Sequence, residues 1–171
     1  MDKLCVGVPV AQAIRLNDGN FQPRAFTPLI EASYKTIKAV EKSIKGRKYK
    51  VVICIQTDGE ENASGPEYTW EKLNALIKEK IALGWEFNFM GASLDAYDQG
   101  RKMGIGVGST MSYDTFDPKA MTATFTDRGV QTRAYARGLA GSMAFSASIK
   151  QAVSYARWVS EVNARSICVS A

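Results

Sequence analysis

The sequence contains no histidine among its 171 residues. That absence excludes Ser-His-Asp and Cys-His catalysis, histidine-ligated zinc and the usual proton shuttle of neutral pH. Cysteine is also scarce: Cys5, Cys54 and Cys168 are odd in number and far apart, which argues against a disulfide framework and for a reducing compartment. A metal site here would therefore need oxygen ligands and a hard cation such as Mg²⁺, Mn²⁺ or Ca²⁺.

The chain has no apolar run of the roughly 20 residues that a membrane span needs. Its first residues, MDKLCVGVPV, lack the charge and cleavage pattern of a signal peptide, so we expect a cytoplasmic protein without a membrane segment. Hydrophobic residues at 46% and charged residues at 23% are typical of a folded globular chain, which rules out a disordered or fibrous protein.

The formal net charge of +5 includes a basic stripe. Lys35, Lys38, Lys42 and Lys45 recur at three- and four-residue spacing, so a helix would align them on one face. Such a stripe could contact phosphates or an acidic partner. A solvated helix face is the favoured interpretation, because no aromatic residues alternate with the lysines for base stacking, and we do not expect nucleic-acid binding.

Helical and extended patterns alternate through the first two thirds of the chain. The predicted elements are a helix at 28–45, a strand at 50–57, a helix at 70–83, a strand at 85–90, a helix at 93–103 and an extended piece at 105–113. Thr27 and Thr69 are predicted to cap the first two helices. The alternation predicts an α/β fold with a doubly wound, mostly parallel, Rossmann-like sheet that has helices on both faces.

The two predicted strands differ in their apolar pattern. Residues 50–57 form a nearly continuous apolar run, which predicts a strand that is covered on both faces. Residues 85–90 alternate between apolar and polar side chains, which predicts one less buried face.

Residues 114–171 have weaker periodicity than residues 1–113, so the chain divides there into an α/β domain and a C-terminal extension. The extension is predicted to contain a short helix after Asp117-Pro118, then loops, then a helix at about 143–160.

Two polar clusters are predicted at the carboxyl ends of the strands, where open α/β sheets bind their ligands. Residues 57–62 leave the first strand, and Thr27 begins the preceding helix. The Asp58 carboxylate and the Thr27 hydroxyl could converge on one hard cation with waters between them. Alternatively, Thr27 only caps its helix and Asp58 only forms a turn.

The same residues carry a resemblance to a known family. Residues 27–29 read TPL, residues 57–62 read TDGEEN and residues 84–92 read GWEFNFMGA. In this order, residues 21–113 resemble the second half of a von Willebrand factor type A domain of the bacterial and phage type. The resemblance implies a doubly wound α/β fold, N-terminally truncated here, and a metal-ion-dependent adhesion site in which Thr27 and Asp58 bind Mg²⁺ or Mn²⁺.

The first metal motif of that family, D-x-S-x-S, is missing. None of the eight aspartates is followed two residues later by serine or threonine. Three of the family's five ligand positions are therefore absent. A cation held by Thr27 and Asp58 alone would be bound weakly or not at all, because affinity follows the number and charge of the oxygen ligands.

The missing half would include the strand beside residues 50–57, whose loss leaves an apolar, unpaired edge. We expect residues 3–16 to fold back over this edge, or a second copy of the chain to pair with it, in preference to a separate polypeptide that supplies the missing half. The expected partners are therefore a second copy of the chain or a complementing chain.

The function predicted from these features is a non-enzymatic protein-binding module with a degenerate adhesion site. Its contacts would come from Glu60, Glu61, Asn62 and Asp95, whose alternative role is ordinary loop charge. The alternative function is a structural or assembly component of a phage particle or a similar complex. An enzyme ranks last, since the glycine-rich segment 104–109 lacks the Lys-Ser/Thr pair of a phosphate loop. The expected location is the cytoplasm of a bacterium or of an infected cell, or a virion.

Overall fold

The chain folds as alternating helices and strands, as its sequence predicts. The computed structural model describes residues 9–15, 17, 19, 26–44, 47–92, 96–113 and 117–153. The elements in chain order are a 3₁₀ turn at Val10–Gln12, α1 (Leu29–Ser43), β1 (Val52–Thr57), α2 (Trp70–Ala82), β2 (Glu86–Gly91), α3 (Ala96–Met103), a 3₁₀ turn at Val107–Ser109, β3 (Thr110–Ser112) and α4 (Pro118–Ala136). Residues 147–153 are also helical. The predictions for residues 3–8, Lys45, Asp95 and the chain beyond 153 lie outside the described residues.

The sheet is open and parallel, with the strand order β1-β2-β3. Ile53 of β1 pairs with Phe87 of β2, and Phe89 of β2 pairs with Thr110 of β3. The α/β class and a parallel sheet, of three strands in the described chain, are therefore confirmed. Since these strands run in the same direction, their carboxyl ends lie along one edge of the sheet.

Helices α1, α2 and α3 all pack on one face of this sheet. Side chains alternate between the two faces of a strand, and the odd-numbered residues of β1 and β2 point toward these helices. The core on this face includes Leu29, Ile30, Ile37, Ile53, Ile55, Leu73, Leu76, Ile77, Phe87, Phe89 and Met103. Burial of each such side chain stabilises the fold by about 1.5 to 3 kcal/mol, so this layer holds the helices against the strands.

The C-terminal part of the described chain covers the opposite face. A second buried cluster there consists of Met90, Met111, Tyr113, Phe145, Ile149 and Val153. Asn88 Nδ2 in β2 donates to the Met143 carbonyl oxygen at 2.8 Å, and the Met143 N–H donates to Glu86 Oε2 at 3.0 Å. Side chains of β2 therefore hold the backbone of this segment by hydrogen bonds, in addition to the apolar contacts.

The predicted difference in burial between the two strands is wrong: the strand predicted to be covered on both faces is the less buried one. β1 alternates, with Cys54 and Gln56 exposed, whereas every residue of β2 after Glu86 is buried. The reason is position in the sheet: β2 is the central strand of the described sheet and is covered on both faces. β1 lies at an edge, where the second face remains open.

The C-terminal extension differs from its prediction in two ways. α4 spans 19 residues and is not a short helix, and the last described helix begins at residue 147, not 143. Asp117 caps α4, since its Oδ1 accepts two backbone N–H groups, both at 3.0 Å. The buried residues of α4 are Thr124, Arg128 and Tyr135, so an apolar pattern that would reveal its length is missing from the sequence.

Gly100 marks the close approach of α3 to β3. A Cβ atom built on Gly100 would lie 2.5 Å from Thr110 Oγ1 and 3.0 Å from Thr110 Cγ2, and Thr110 is buried. We expect Gly100→Ala to lower the free energy of unfolding in urea by about 1 kcal/mol, because the steric cost exceeds the gain in helix propensity. The matched control, Gly129→Ala in α4, has nothing within 4 Å. It should raise the free energy by about 0.5 to 1 kcal/mol, and equal effects of the two substitutions would contradict the close approach.

Candidate functional site

Thr27 lies against the turn that follows β1. Its backbone N–H donates to Asn62 Oδ1 at 2.8 Å, and the Asn62 N–H donates to the Thr27 carbonyl oxygen at 3.2 Å. A Cβ atom built on Gly59 would lie 3.1 Å from Thr27 Oγ1. The structure therefore brings together the two polar clusters that the sequence places at the carboxyl edge of the sheet.

The turn itself is held by Thr57, the last residue of β1. Its Oγ1 donates to the Gly59 carbonyl oxygen at 2.8 Å and accepts the Gly59 N–H at 3.2 Å. Tyr113, just after β3, donates its hydroxyl to the Thr57 carbonyl oxygen at 3.3 Å. Asp58 lies in this ordered turn and is exposed, so its carboxylate is accessible to a ligand.

Thr27 does not cap α1, contrary to the sequence prediction. The capping position falls one residue later, on a proline without a side-chain hydrogen bond. The loop after β1 satisfies the first amides of the helix instead: the Ile30 N–H donates to Glu61 Oε2 at 2.7 Å. The next N–H, of Glu31, donates to Ser64 Oγ at 3.0 Å. Because a helix leaves its first four N–H groups without intrahelical partners, these bonds replace a local cap.

Glu61 is the centre of this loop. Its Oε1 accepts the N–H groups of Ala63 at 2.9 Å and Ser64 at 2.7 Å, and its Oε2 accepts the Ser64 hydroxyl at 2.7 Å. Partial burial opposes ionisation, but these hydrogen bonds and the one from Ile30 lower the pKa of Glu61 below its ordinary value. The carboxylate is therefore charged and engaged within the chain.

The other predicted contact residues differ in placement. Glu60 is exposed, Asn62 is exposed and bonded to the chain before α1, and Asp95 lies outside the described residues. Sequence reasoning missed Ser64, because its bond to the start of α1 joins residues 33 positions apart and no local pattern indicates it.

The carboxyl edge offers two oxygen donors for a cation, the Thr27 hydroxyl and the Asp58 carboxylate. Mg²⁺ prefers octahedral oxygen coordination and keeps several waters when the protein supplies few ligands. Within the described ranges, no three Asp, Glu or Cys side chains lie close enough to hold a metal ion together. Thr27 and Asp58 by themselves therefore do not form a complete coordination shell.

The lysine stripe of α1 is interrupted by carboxylates. Lys35 pairs with Glu31, and Lys38 Nζ lies 2.9 Å from Glu41 Oε2. These local pairs reduce the positive potential that attracts a phosphate backbone. The pairs agree with the interpretation of the stripe as a solvated helix face.

Among the residues that the structure describes, no helix is both long and apolar enough to cross a bilayer. Comparisons with protein-family models, with curated proteins and with solved structures give no match. The likeness to von Willebrand factor type A domains therefore rests on the three sequence motifs.

Proposed function

We propose that this chain is a non-enzymatic protein-binding module whose binding face is the carboxyl edge of the sheet. The observation that carries the proposal is the contact of Thr27 with the turn at Asp58 and Gly59, because ligands bind at this edge in open α/β sheets. We further propose that the fold is doubly wound and of the von Willebrand factor type A kind. The parallel strand order and the TPL and TDGEEN motifs support that assignment.

Binding is favoured over catalysis by the state of the carboxylates at this edge. Glu61 is held ionised by hydrogen bonds within its loop. Asp58 and Glu60 are exposed. A general acid or base is normally tuned by burial or by a close charge, whereas exposed carboxylates on an ordered loop suit contacts with a partner.

A degenerate cation site at Thr27 and Asp58 is testable by paramagnetic broadening. Weak oxygen-ligand sites bind at about 0.1 to 1 mM. In that range of Mn²⁺ we expect the amide NMR signals of Thr27, Asp58 and Gly59 to broaden before other signals. Asp58→Asn should abolish this selectivity because it removes the charged ligand, while the control Glu60→Gln removes a charge nearby and should preserve it. Broadening that survives Asp58→Asn would refute the site.

The binding function is tested by selection of a displayed random peptide library on the immobilised chain. We expect enriched peptides that bind at least about tenfold more weakly to a chain carrying Asp58→Asn and Glu60→Gln. The control carries Lys38→Gln and Lys42→Gln, which alter two exposed charges on α1, and should bind as the unmodified chain does. The proposal fails if no peptide is enriched, or if the enriched peptides do not distinguish the edge variant.

A second candidate function, a structural or assembly component, is favoured by one observation. β1 forms an edge of the described sheet, and Cys54 and Gln56 lie on the open part of its second face. An open strand edge is a template for pairing with another chain. Light scattering separates the two candidates: a stable oligomer whose mass is indifferent to Mn²⁺ supports assembly, and a monomer at micromolar concentration argues against it.

A further inference from the structure

A recess lies beside the carboxyl edge, between the end of β1, the start of α2 and helix α3. Its volume is about 350 Å³, and its lining comprises Glu60, Glu61, Trp70, Asp98, Gln99 and Lys102. This volume is at the lower end of the range for small-ligand sites and is large enough for one long side chain.

The recess is acidic although the protein is basic. Three of its described lining side chains are carboxylates and one is an ammonium, while the whole chain carries +5. Asp98 Oδ1 lies 2.8 Å from Arg101 Nη2, but the two side chains are 57% and 78% exposed, so water screens this pair. The local charge therefore favours a cationic ligand.

Gln99 provides an independent observation that points to a ligand. Its side chain is only 5% exposed, and its Oε1 has no hydrogen-bond partner within the described chain. Buried polar atoms without partners are uncommon, because each loses its bond to water on folding. This oxygen is itself covered, so a ligand that enters the recess can donate a hydrogen bond to it only by displacing the side chains that cover it.

Trp70 contributes an aromatic wall. Lys102 Nζ lies 5.8 Å from the centre of the Trp70 ring, which places a cation over an aromatic face. Lys102 is exposed on α3, so an incoming cation can displace its ammonium into water. The lysine therefore competes with a ligand for the same face.

We infer that the recess binds the guanidinium group of an arginine side chain presented by a protein partner. A guanidinium is planar and carries five N–H donors. It can stack on Trp70 and pair with Glu60, and it can donate to Gln99 Oε1 once the side chains that cover this oxygen move. A lysine ammonium has no plane for stacking. The inference rests on the proposed protein-binding function and names the chemical group that the partner presents.

The test is an NMR titration with N-acetylarginine amide, followed by the indole N–H signal of Trp70. The same titration with N-acetylcitrulline amide, which keeps the shape and lacks the charge, should give at least about tenfold weaker binding. Gln99→Met removes the acceptor with little change in volume and should weaken binding of the arginine probe by about tenfold.

Two exposed lysines give a matched pair of variants. Lys102→Gln removes the competing cation from the recess and should tighten binding of the arginine probe by about two- to fivefold. Lys78→Gln makes the same charge change on α2, beside the recess and outside its lining, and should leave the affinity within about twofold. Both positions are at the surface, so these variants fold even if Gln99→Met does not.

Three results would overturn the inference: equal affinity for the arginine and citrulline probes, tighter binding of N-acetylglutamate amide, or no effect of Lys102→Gln. These results are separable from the peptide selection. If the enriched peptides depend on the edge but contain no arginine, the inference about the recess is refuted and the proposed binding function is not. Failure of the selection together with binding of the arginine probe would refute the protein-binding function and would leave the recess as a guanidinium site without a protein partner.

Discussion

Replacing Glu61 with alanine should lower the free energy of unfolding by about 2 to 3 kcal/mol in urea denaturation. The substitution removes the acceptor of the Ile30 N–H at the start of α1 and of the Ser64 N–H and hydroxyl. Partly buried donors that lose their acceptor pay a desolvation penalty in addition to the lost bond. α1 also loses an anionic group near its N-terminus, where the helix dipole favours one.

Glu60→Ala is the matched control, because that neighbouring carboxylate is exposed and its removal should change stability by less than about 0.5 kcal/mol. The pH dependence gives a second readout. Since the folded-state pKa of Glu61 is lowered, its contribution is complete above the ordinary value of 4.5 and is lost as the pH falls through the folded-state value. The acid limb of the stability profile should therefore flatten in Glu61→Ala, and an unchanged limb would contradict this role.

Removing both carboxylates that contact Lys80 should lower the free energy of unfolding by about 2 kcal/mol. Lys80 is only 1% exposed, and its ammonium contacts Glu41 of α1 and lies 2.5 Å from Glu79 Oε1. With Glu41→Gln and Glu79→Gln, the covered ammonium retains its desolvation cost and loses its charged partners. The two carboxylates are 41% and 57% exposed, so water screens the cluster and the effect stays below that of a deeply buried pair.

Lys80→Met is the counterpart of that double variant. It places an apolar side chain of similar length near the Trp85 ring, which lies 5.9 Å from the ammonium, and should change stability by less than about 1.5 kcal/mol. If Lys80→Met were as destabilising as the double variant, the ion pairs would not be what joins α1 to α2. Thermal unfolding of the three proteins at one pH decides between these cases.

The same cluster predicts losses of stability at both ends of the pH range. The hydrogen bond from Lys80 lowers the pKa of Glu41, so this contribution is present above 4.5 and is lost as the pH falls through the folded-state value. Burial opposes the charge of Lys80, yet its bonds to Glu41 and Glu79 raise its pKa. That contribution is complete below 10.5 and is lost as the pH rises through the folded-state value. Lys80→Met should lack the alkaline loss and show a smaller acid loss, because Glu41 keeps its bond to Lys38.

The elements of the α/β layer are predictable because each depends on neighbours in the chain. Thr69 caps α2 as predicted, with its Oγ1 accepting the Lys72 N–H, and Gly84 ends that helix with a φ of +84°. The exposure of Cys54 and the burial of Asn88 are not predictable in this way. The burial of Asn88 depends on where the chain around Met143 lies, and the bond between the two residues spans more than fifty positions.

The candidate site likewise contains contacts that the sequence predicts and contacts that it does not. Helix α1 runs back along the strand that follows it, so its first residues lie near the carboxyl end of β1, and the approach of Thr27 to the turn after β1 follows from this connection. The bond from Ile30 to Glu61 does not, because it joins residues 31 positions apart and leaves the local threonine without its expected capping role. Gln99 reads as an ordinary polar position on α3, and only the structure shows that its amide oxygen is buried without a described partner.

The hydrogen bonds between β2 and Met143 have a consequence for the order of folding. Both backbone groups of Met143 are bonded, its N–H to Glu86 and its carbonyl oxygen to Asn88 and to Arg128 Nη2 at 2.9 Å. The contacts with β2 close chain loops of 55 to 57 residues, whereas each β–α–β unit of the sheet closes over a shorter stretch. Because long loops lose more chain entropy on closure, we expect the α1–α3 side of the sheet to form first. Met90 and Met111 would then face water until the C-terminal segment docks, and we expect the nascent chain to be most prone to aggregate in that interval.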